Sequence, residues 1–315
     1  MDKFDSLLTN VRRMAIAGHV RPDGDCIGSC LATYNFVKEY YSEIEIDLYL
    51  QPIPNIFKFL KNSDKICNDY PNQETYDLFI TQDCGDLERI GEAAKYFLQA
   101  KKTVCIDHHI SNDSFADKNY IFPNASSTSE LIFELIGKEK VTKDIAECIY
   151  VGIAHDTGVF QYSNTSAKTM NIAGFLMETG IDYSWIVDKT FYEKTYNQNR
   201  ILGLSLLKSI LFLNGRVIAS TISLQEMKQY DVSPKHLEGI VSQLRVTKDV
   251  EIAIFLYQTQ EEDYKVSMRS NGRVDVACIA KNFGGGGHIR AAGVTMKGTS
   301  DTILRQLVEK ISEQI

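Results

Sequence analysis

Four short segments of this 315-residue chain end an apolar run in histidine and aspartate. They are His19-Val20-Arg21-Pro22-Asp23-Gly24-Asp25, then Asp83 in TQDCGD, then Asp107-His108-His109, then His155-Asp156. Five of the six histidines lie in these segments or beside a run of four glycines, and only His236 lies elsewhere. Two adjacent imidazoles are costly to bury without polar partners. Mixed imidazole and carboxylate donors without thiolates suit Mn²⁺, Co²⁺, Fe²⁺ or Mg²⁺ better than a structural zinc. Several carboxylates around one position repel one another unless cations neutralise them. Two ions ~3.5–4 Å apart, bridged by one carboxylate, form a clamp for phosphoryl displacement. A hydroxide between them is nucleophilic near neutral pH, so such a site needs no serine or cysteine nucleophile.

Each segment also has a plainer reading. Asp25 could be the N-cap of the helix that follows it, and Asp83 could cap a helix beginning near Asp86. His155 reads best as a hydrogen-bonded residue at a helix end. Gly284 to Gly287 would be a flexible linker if the run stood alone. It follows a helical segment and precedes HIRAAGVTM, however, so it lies inside a domain. Glycines let backbone N–H groups approach an anion closely. Gly285, Gly286 and Gly287 with His288 and Arg269 therefore form a candidate phosphate grip, since arginine can hold a phosphate through two bonds. Arg290 reads as a solvated surface arginine, Cys26 and Cys30 as small core residues of one helix face, and FYEKTY as connector packing.

The elements that must position these groups are legible from periodicity. MAIAGH, IEIDLYL, YDLFITQD and TVCIDHH read as strands. IGSCLATYNFVKEYY, LERIGEAAKYFLQA and SSTSELIFELIG read as helices, and TKDIAECIYVGIAHDTG as a helix running into a turn. Such alternation indicates an α/β fold with a parallel sheet covered on both faces. Functional groups in such sheets gather at the carboxyl ends of the strands. Residues 184–206 read as a helical linker between a domain over 1–183 and a smaller one over 207–315. In the latter, RVIASTIS, VEIAIFLYQT and YKVSMRS read as strands of a mixed sheet, with helices around HLEGIVSQLRV, DVACIAKNF and SDTILRQLVEKISEQI.

Composition narrows the class. Net charge is 34 − 41 = −7, which gives no basic surface of the kind long nucleic acids need; a small anionic substrate needs only a few well-placed cations. No apolar run reaches the ~18 residues of a membrane span, and MDKFDSLLTNVRRMAIAG lacks a signal peptide's layout. Seven cysteines in such a chain read as reduced thiols. The expected location is cytoplasmic, with no membrane partner, and the apolar helices would permit a homodimer.

HVRPDGD, TQDCGD, IDHH and AHDTG, in that order and spacing, closely resemble the four motifs of the DHH phosphoesterase superfamily. YKVSMRS followed by FGGGGHIRAAG resembles the DHHA1 domain, and the two-domain layout looks most like the bacterial nanoRNase/pAp phosphatases. The resemblance implies that His19, Asp23 and Asp83 bind one metal. It implies that Asp25, Asp83, His108 and Asp156 bind the other, with Asp83 as bridge. It places His109 against the scissile phosphate as a catalytic hydrogen-bond donor, with Asp107 orienting it. It further implies two Mn²⁺, with Co²⁺ or Mg²⁺ as substitutes, and an active site in the interdomain cleft. The expected activity is hydrolysis of short oligoribonucleotides to 5′-mononucleotides and dephosphorylation of adenosine 3′,5′-bisphosphate (pAp). The rival within the enzyme class is a phosphodiesterase of cyclic or linear dinucleotide messengers such as cyclic di-AMP and pApA. A non-catalytic nucleotide-binding regulator is the rival outside it.

Overall fold

The computed structural model describes residues 3–71 and 75–315. The first two residues of the N-terminal stretch read for a targeting signal lie outside them. The chain divides into two compact units, Met1–Glu193 and Lys194–Ile315.

The first unit is built on six parallel strands, β1 (Arg13–Ala17), β2 (Glu45–Tyr49), β3 (Ile66–Cys67), β4 (Leu78–Gln82), β5 (Thr103–Asp107) and β6 (Lys118–Ile121). Their order across the sheet is β3-β2-β1-β4-β5-β6. The winding therefore reverses between β1 and β4, where a crevice opens beyond the carboxyl ends of the strands. Met14, Ile16, Ile80 and Ile106 point to one face, under α1 (Gly24–Tyr40) and, further along the chain, α3 (Thr128–Ile136) and α4 (Lys143–Asp156). Ala15, Ala17 and Phe79 point to the other, under Ile90, Tyr96 and Phe97.

Every residue of α1 from Gly24 to Val37 is buried, as befits a helix at the centre of a domain. Its polar side chains find partners: Gln82 donates to Thr33 Oγ1 at 2.7 Å, and Asn35 donates to the Lys61 carbonyl at 3.3 Å. The helix lies against α4 at very close range. A Cβ on Gly28 would stand 2.4 Å from the Cys148 carbonyl, and one on Gly152 would stand 1.9 Å from Ser129 Oγ and 2.7 Å from Asp25 Oδ1. Two glycines thus bring the motif-bearing ends of α1 and α4 together.

The expected helix over LERIGEAAKYFLQA is instead broken. A 3-10 segment, Leu87–Ala93, leads into α2 (Ala94–Phe97), with Gly91 at φ 58° and ψ −135°. The Arg89 carbonyl is committed to Val20 N–H at 2.7 Å, so this segment serves the loop after β1 and not a continuous helix. Beyond α4, a helix that periodicity did not single out, α5 (Ala167–Glu178), starts at a capping box on Ser166 and Thr169. The stretch read as a linker is helical in pieces: α6 (Tyr183–Val187), a π turn at Asp188–Tyr192 and α7 (Tyr196–Leu207). The division between the units falls inside it.

The second unit holds β7 (Ile210–Phe212), β8 (Val217–Ile222), β9 (Ile252–Gln258), β10 (Asp263–Ser270), β11 (Gly286–His288) and β12 (Ala291–Lys297). Their order is β11-β12-β10-β9-β8-β7. Only the β8–β9 pair is parallel, so the sheet is mixed as expected. α7 shares one face of it with α8 (Leu224–Gln229) and α9 (Ile240–Arg245). α10 (Val276–Lys281) and α11 (Ser300–Ser312) cover the other. α11 buries Ile303, Leu304, Leu307 and Ile311, the spacing of an amphipathic helix.

All seven cysteines are free thiols, five of them buried, including Cys26 and Cys30. Among the described residues no helix is long and apolar enough to cross a membrane.

Candidate metal centre

The carboxyl ends of β1, β4 and β5 and the facing ends of α1 and α4 bring the four motifs of the first unit together. Asp83 lies at the middle. Its Oδ2 stands 3.5 Å from His19 Nε2 and its Oδ1 stands 3.6 Å from His108 Nε2. His19 Nε2 is also 3.6 Å from Asp23 Oδ2. His108 Nε2 is 3.5 Å from Asp156 Oδ2 and 3.9 Å from Asp25 Oδ2. Donors bound at ~2.0–2.2 Å to one ion lie ~3–4 Å apart across it, so these are separations a shared cation would create. Asp83 turns one oxygen to each histidine, the placement that a bridging carboxylate requires.

The backbone supports this placement. Asp83 follows directly on β4 with φ 54°, in the left-handed region that aspartate, after glycine and with asparagine, enters most readily. Thr128 Oγ1 donates to its Oδ1 at 3.2 Å. Asp25, 1% exposed, accepts the Thr128 and Ser129 N–H groups at 2.6 and 2.9 Å. The first turn of α3 thus directs its unpaired donors at this carboxylate. The N-cap of α1 is Asp23, whose Oδ1 accepts from Asp25 and Cys26 N–H, and the cap after β4 is Asp86. The plainer capping readings of Asp25 and Asp83 therefore do not hold.

Protonation states fit a cation site. Burial, then the neighbouring Asp83 and Asp156, push the Asp25 carboxyl well above the usual range. Burial and the same crowding raise Asp156 to about 6. For His19, burial opposes the charged form, but the Asp23 and Asp83 carboxylates outweigh it and lift the imidazole to about 11. Crowded carboxylates thus favour positive charge between them, which divalent cations would supply. His19 Nδ1 donates to the Val20 carbonyl at 2.9 Å, which leaves Nε2 as the free ligand atom. The residues present fit a pair of divalent ions with His19, Asp23 and Asp83 on one and Asp25, Asp83, His108 and Asp156 on the other.

The Asp107-His108-His109 crowding has a geometric answer. Asp107 is wholly buried, and its Oδ1 accepts His109 Nδ1–H at 2.7 Å and His108 N–H at 2.8 Å. Its Oδ2 accepts Asn112 Nδ2 at 2.7 Å. Burial alone would raise the Asp107 carboxyl, but the hydrogen bond from His109 holds it below the ordinary range. The same bond raises His109 above its ordinary value. His109 is about one-third exposed, with Nε2 on the side away from its anchor. His155 takes no part: its Nε2–H donates to Thr190 Oγ1 at 2.9 Å, and burial lowers it to about 4, so it is a neutral packing residue between Phe57 and Phe191.

The second unit arranges its own group. Arg269 on β10 pairs with Ala291 on β12, and Ala291 pairs with His288 on β11. Directly paired residues share a face, so Arg269 and His288 flank a small alanine. Ser267, Gly293 and Gly286 form the next such rung. The glycine run is not the loop that its composition suggests, because Gly286 and Gly287 belong to the edge strand. A Cβ on Gly285 would stand 2.4 Å from the Gly293 carbonyl, and one on Gly287 would stand 2.4 Å from the Ala291 carbonyl. Close backbone approach demands these glycines, and Ala291 is what lies between the arginine and the histidine. Arg290 is exposed in the turn between β11 and β12.

The DHH family, N-terminal domain, matches residues 13–153, and the DHHA1 domain matches residues 214–315. The chain belongs to the DHH family. It is a phosphoesterase, and this family is metal-dependent, in keeping with the donor set. A bifunctional oligoribonuclease and PAP phosphatase of Bacillus subtilis is 30% identical over 92% of this chain and 91% of its own length. One of the same name from Thermus thermophilus is 27% identical over 95% and 89%. An exopolyphosphatase-related protein from Bacteroides fragilis has a crystal structure similar at a TM-score of 0.88, with 26% identity over 98% of this chain and 94% of that one.

Sequence reading of this DHH protein missed the residues that hold the ligands: Thr128, Ser129, Asn112, and Asn164, whose Nδ2 donates to the Asp156 carbonyl at 3.1 Å. It also missed Glu130, buried in the first turn of α3, where Ser126, Thr169 and Lys168 hold it. SSTSE before an apolar run does signal a helix start, but nothing local says which carboxylate that start will face.

Proposed function

We propose that this DHH phosphoesterase hydrolyses short oligoribonucleotides to nucleoside 5′-monophosphates and removes a phosphate from adenosine 3′,5′-bisphosphate, using two Mn²⁺ ions. The reading is carried by Asp83, whose two oxygens face His19 and His108 separately. The names of the relatives from Bacillus subtilis and Thermus thermophilus support the substrate class. Ions held by His19, Asp23, Asp25, Asp83, His108 and Asp156 would neutralise these carboxylates, orient the phosphate and lower the pKa of an attacking water. His109 donates a hydrogen bond from Nε2 to a phosphate oxygen as charge develops there. Asp107 and Asn112 fix its ring, so little reorganisation is needed at the moment of reaction. Arg269 and His288, with Gly285, Gly286 and Gly287 as floor, grip a phosphate of the substrate that is not cleaved. The carboxylate-rich centre and net charge of −7 suit a short substrate taken up in a cytoplasmic setting over a long polynucleotide.

The test is release of phosphate and mononucleotide with Mn²⁺ from RNA of two to five residues, pAp, pApA, cyclic di-AMP and pyrophosphate, side by side. Turnover of short RNA and pAp with little on the others is the expected result. Preference for pApA or cyclic di-AMP would move the protein to clearance of dinucleotide messengers on the same site. Binding without turnover of any would make it a nucleotide-binding regulator.

A further inference from the structure

Beside the metal centre the first unit carries a cavity of about 230 Å³ that the phosphate chemistry does not use. It opens between the loops after β1 and β2, and His19 forms part of its wall. Its interior is apolar and aromatic, with Tyr49, Leu50 and Ile90 buried and Tyr70 half-buried. The Tyr70 ring stacks on Tyr49 at 5.5 Å between centroids and 24° between planes. The far wall exists because the chain breaks at Gly91 in place of continuing a helix.

The rim is polar and exposed: Gln51, Asn68 and Glu92. Gln51 Oε1 accepts the Arg21 N–H at 2.7 Å, which fixes that side chain and turns its amide nitrogen to other use. Drug-sized ligands fill ~300–1,000 Å³, so this space suits one planar ring system. Flat aromatic walls with two amides and a carboxylate on the rim match a nucleobase, which offers a π face and an edge of mixed donors and acceptors.

We propose that this cavity is the subsite for the nucleobase of the nucleotide whose phosphate lies at the metal centre. The proposal rests on the nucleotide-hydrolysing reading above. His19 joins the cavity to the metal centre, because it both faces Asp83 and belongs to the cavity wall, so a base seated there lies close to the reacting phosphate. Glu92 favours a base with two neighbouring N–H donors, so guanine gains most.

The experiment is isothermal titration of the Mn²⁺-saturated protein with GMP and with ribose 5-phosphate, which shares the phosphate and sugar but has no base. GMP is expected to bind at least about tenfold more tightly, a difference of ~1.4 kcal/mol. Asn68→Phe, at an exposed position, fills the space and brings the ratio near one without weakening ribose 5-phosphate. Glu92→Gln narrows the ratio with the cavity still open. Equal affinity for the two ligands, or a ratio unchanged in both variants, overturns the proposal. Hydrolysis of short RNA by the same preparations separates the two readings. Base-dependent binding without turnover leaves the subsite standing and removes the proposed function, whereas turnover without base-dependent binding removes the subsite alone.

Discussion

At the scale of the residue, the division of labour between His108 and His109 decides what the site can do. They are adjacent in the chain, yet one turns Nε2 to three carboxylates and the other gives Nδ1 to Asp107. Replacement of His109 by alanine removes one donor to the developing charge, so kcat should fall about 10²–10³-fold with bound metal unchanged. Asn112→Ala, which only loosens Asp107, should cost about 10–100-fold. Kinetics of both variants alongside metal analysis will show it, and a loss of metal in His109→Ala would contradict its assignment to phosphate. The identities of these groups were legible from types and spacing. The resemblance already implied that Asp107 orients its neighbour; that Asn112 would hold Asp107 was not legible, because that bond depends on how the loop after β5 folds back.

At the scale of the element, the ligands converge because α1 and α4 touch. A methyl group at Gly28 would meet the Cys148 carbonyl and backbone of α4. Gly28→Ala should therefore destabilise the first unit by about 1–3 kcal/mol, read as a lower urea midpoint, although no ligand is altered. The amino ends of the central strands supply a pH signature away from the metals. Asp77, just before β4, accepts from Lys101 Nζ at 2.7 Å and from Arg12 and Arg13 N–H, and Lys101 foremost holds it down to about 2 against an ordinary 3.8. Its folded pKa is depressed, so its contribution is complete above ~4 and is lost as pH falls towards 2. Asp77→Asn should thus be less stable than wild type at pH 7, with the gap closing between about pH 4 and 2 in acid-unfolding curves. Strands and long helices were readable in the sequence, because burial imposes periods of two and 3.6. The broken segment at Gly91 was not, since its local pattern is helical and only the bond from Val20 to Arg89 competes.

At the scale of the whole molecule, the proposed metal ligands belong to the first unit and the proposed phosphate grip to the second. Mn²⁺ at a thousandfold excess over its Kd should add about 4 kcal/mol to stability. A rise of several degrees in Tm follows, lost in chelator and in Asp83→Asn; an equal rise in that variant would place the ions elsewhere. Arg269→Ala should raise KM for short RNA about tenfold or more, as expected for loss of a charge-assisted phosphate contact, with kcat little changed. Unchanged KM would take Arg269 out of the substrate site.

Motifs and periodicity alone indicated the phosphoesterase family, the α/β architecture of the first unit and the mixed sheet of the second. Ligand type and the alternation of apolar residues are local properties, written in the order of the chain. Folding in three dimensions was needed to show that α3 points its first turn at Asp25 and that Arg269 and His288 share one rung across a three-strand edge. The first of these joins residues more than a hundred positions apart. Both relations are set by which strands lie side by side and how closely two helices approach, and no local spacing encodes either.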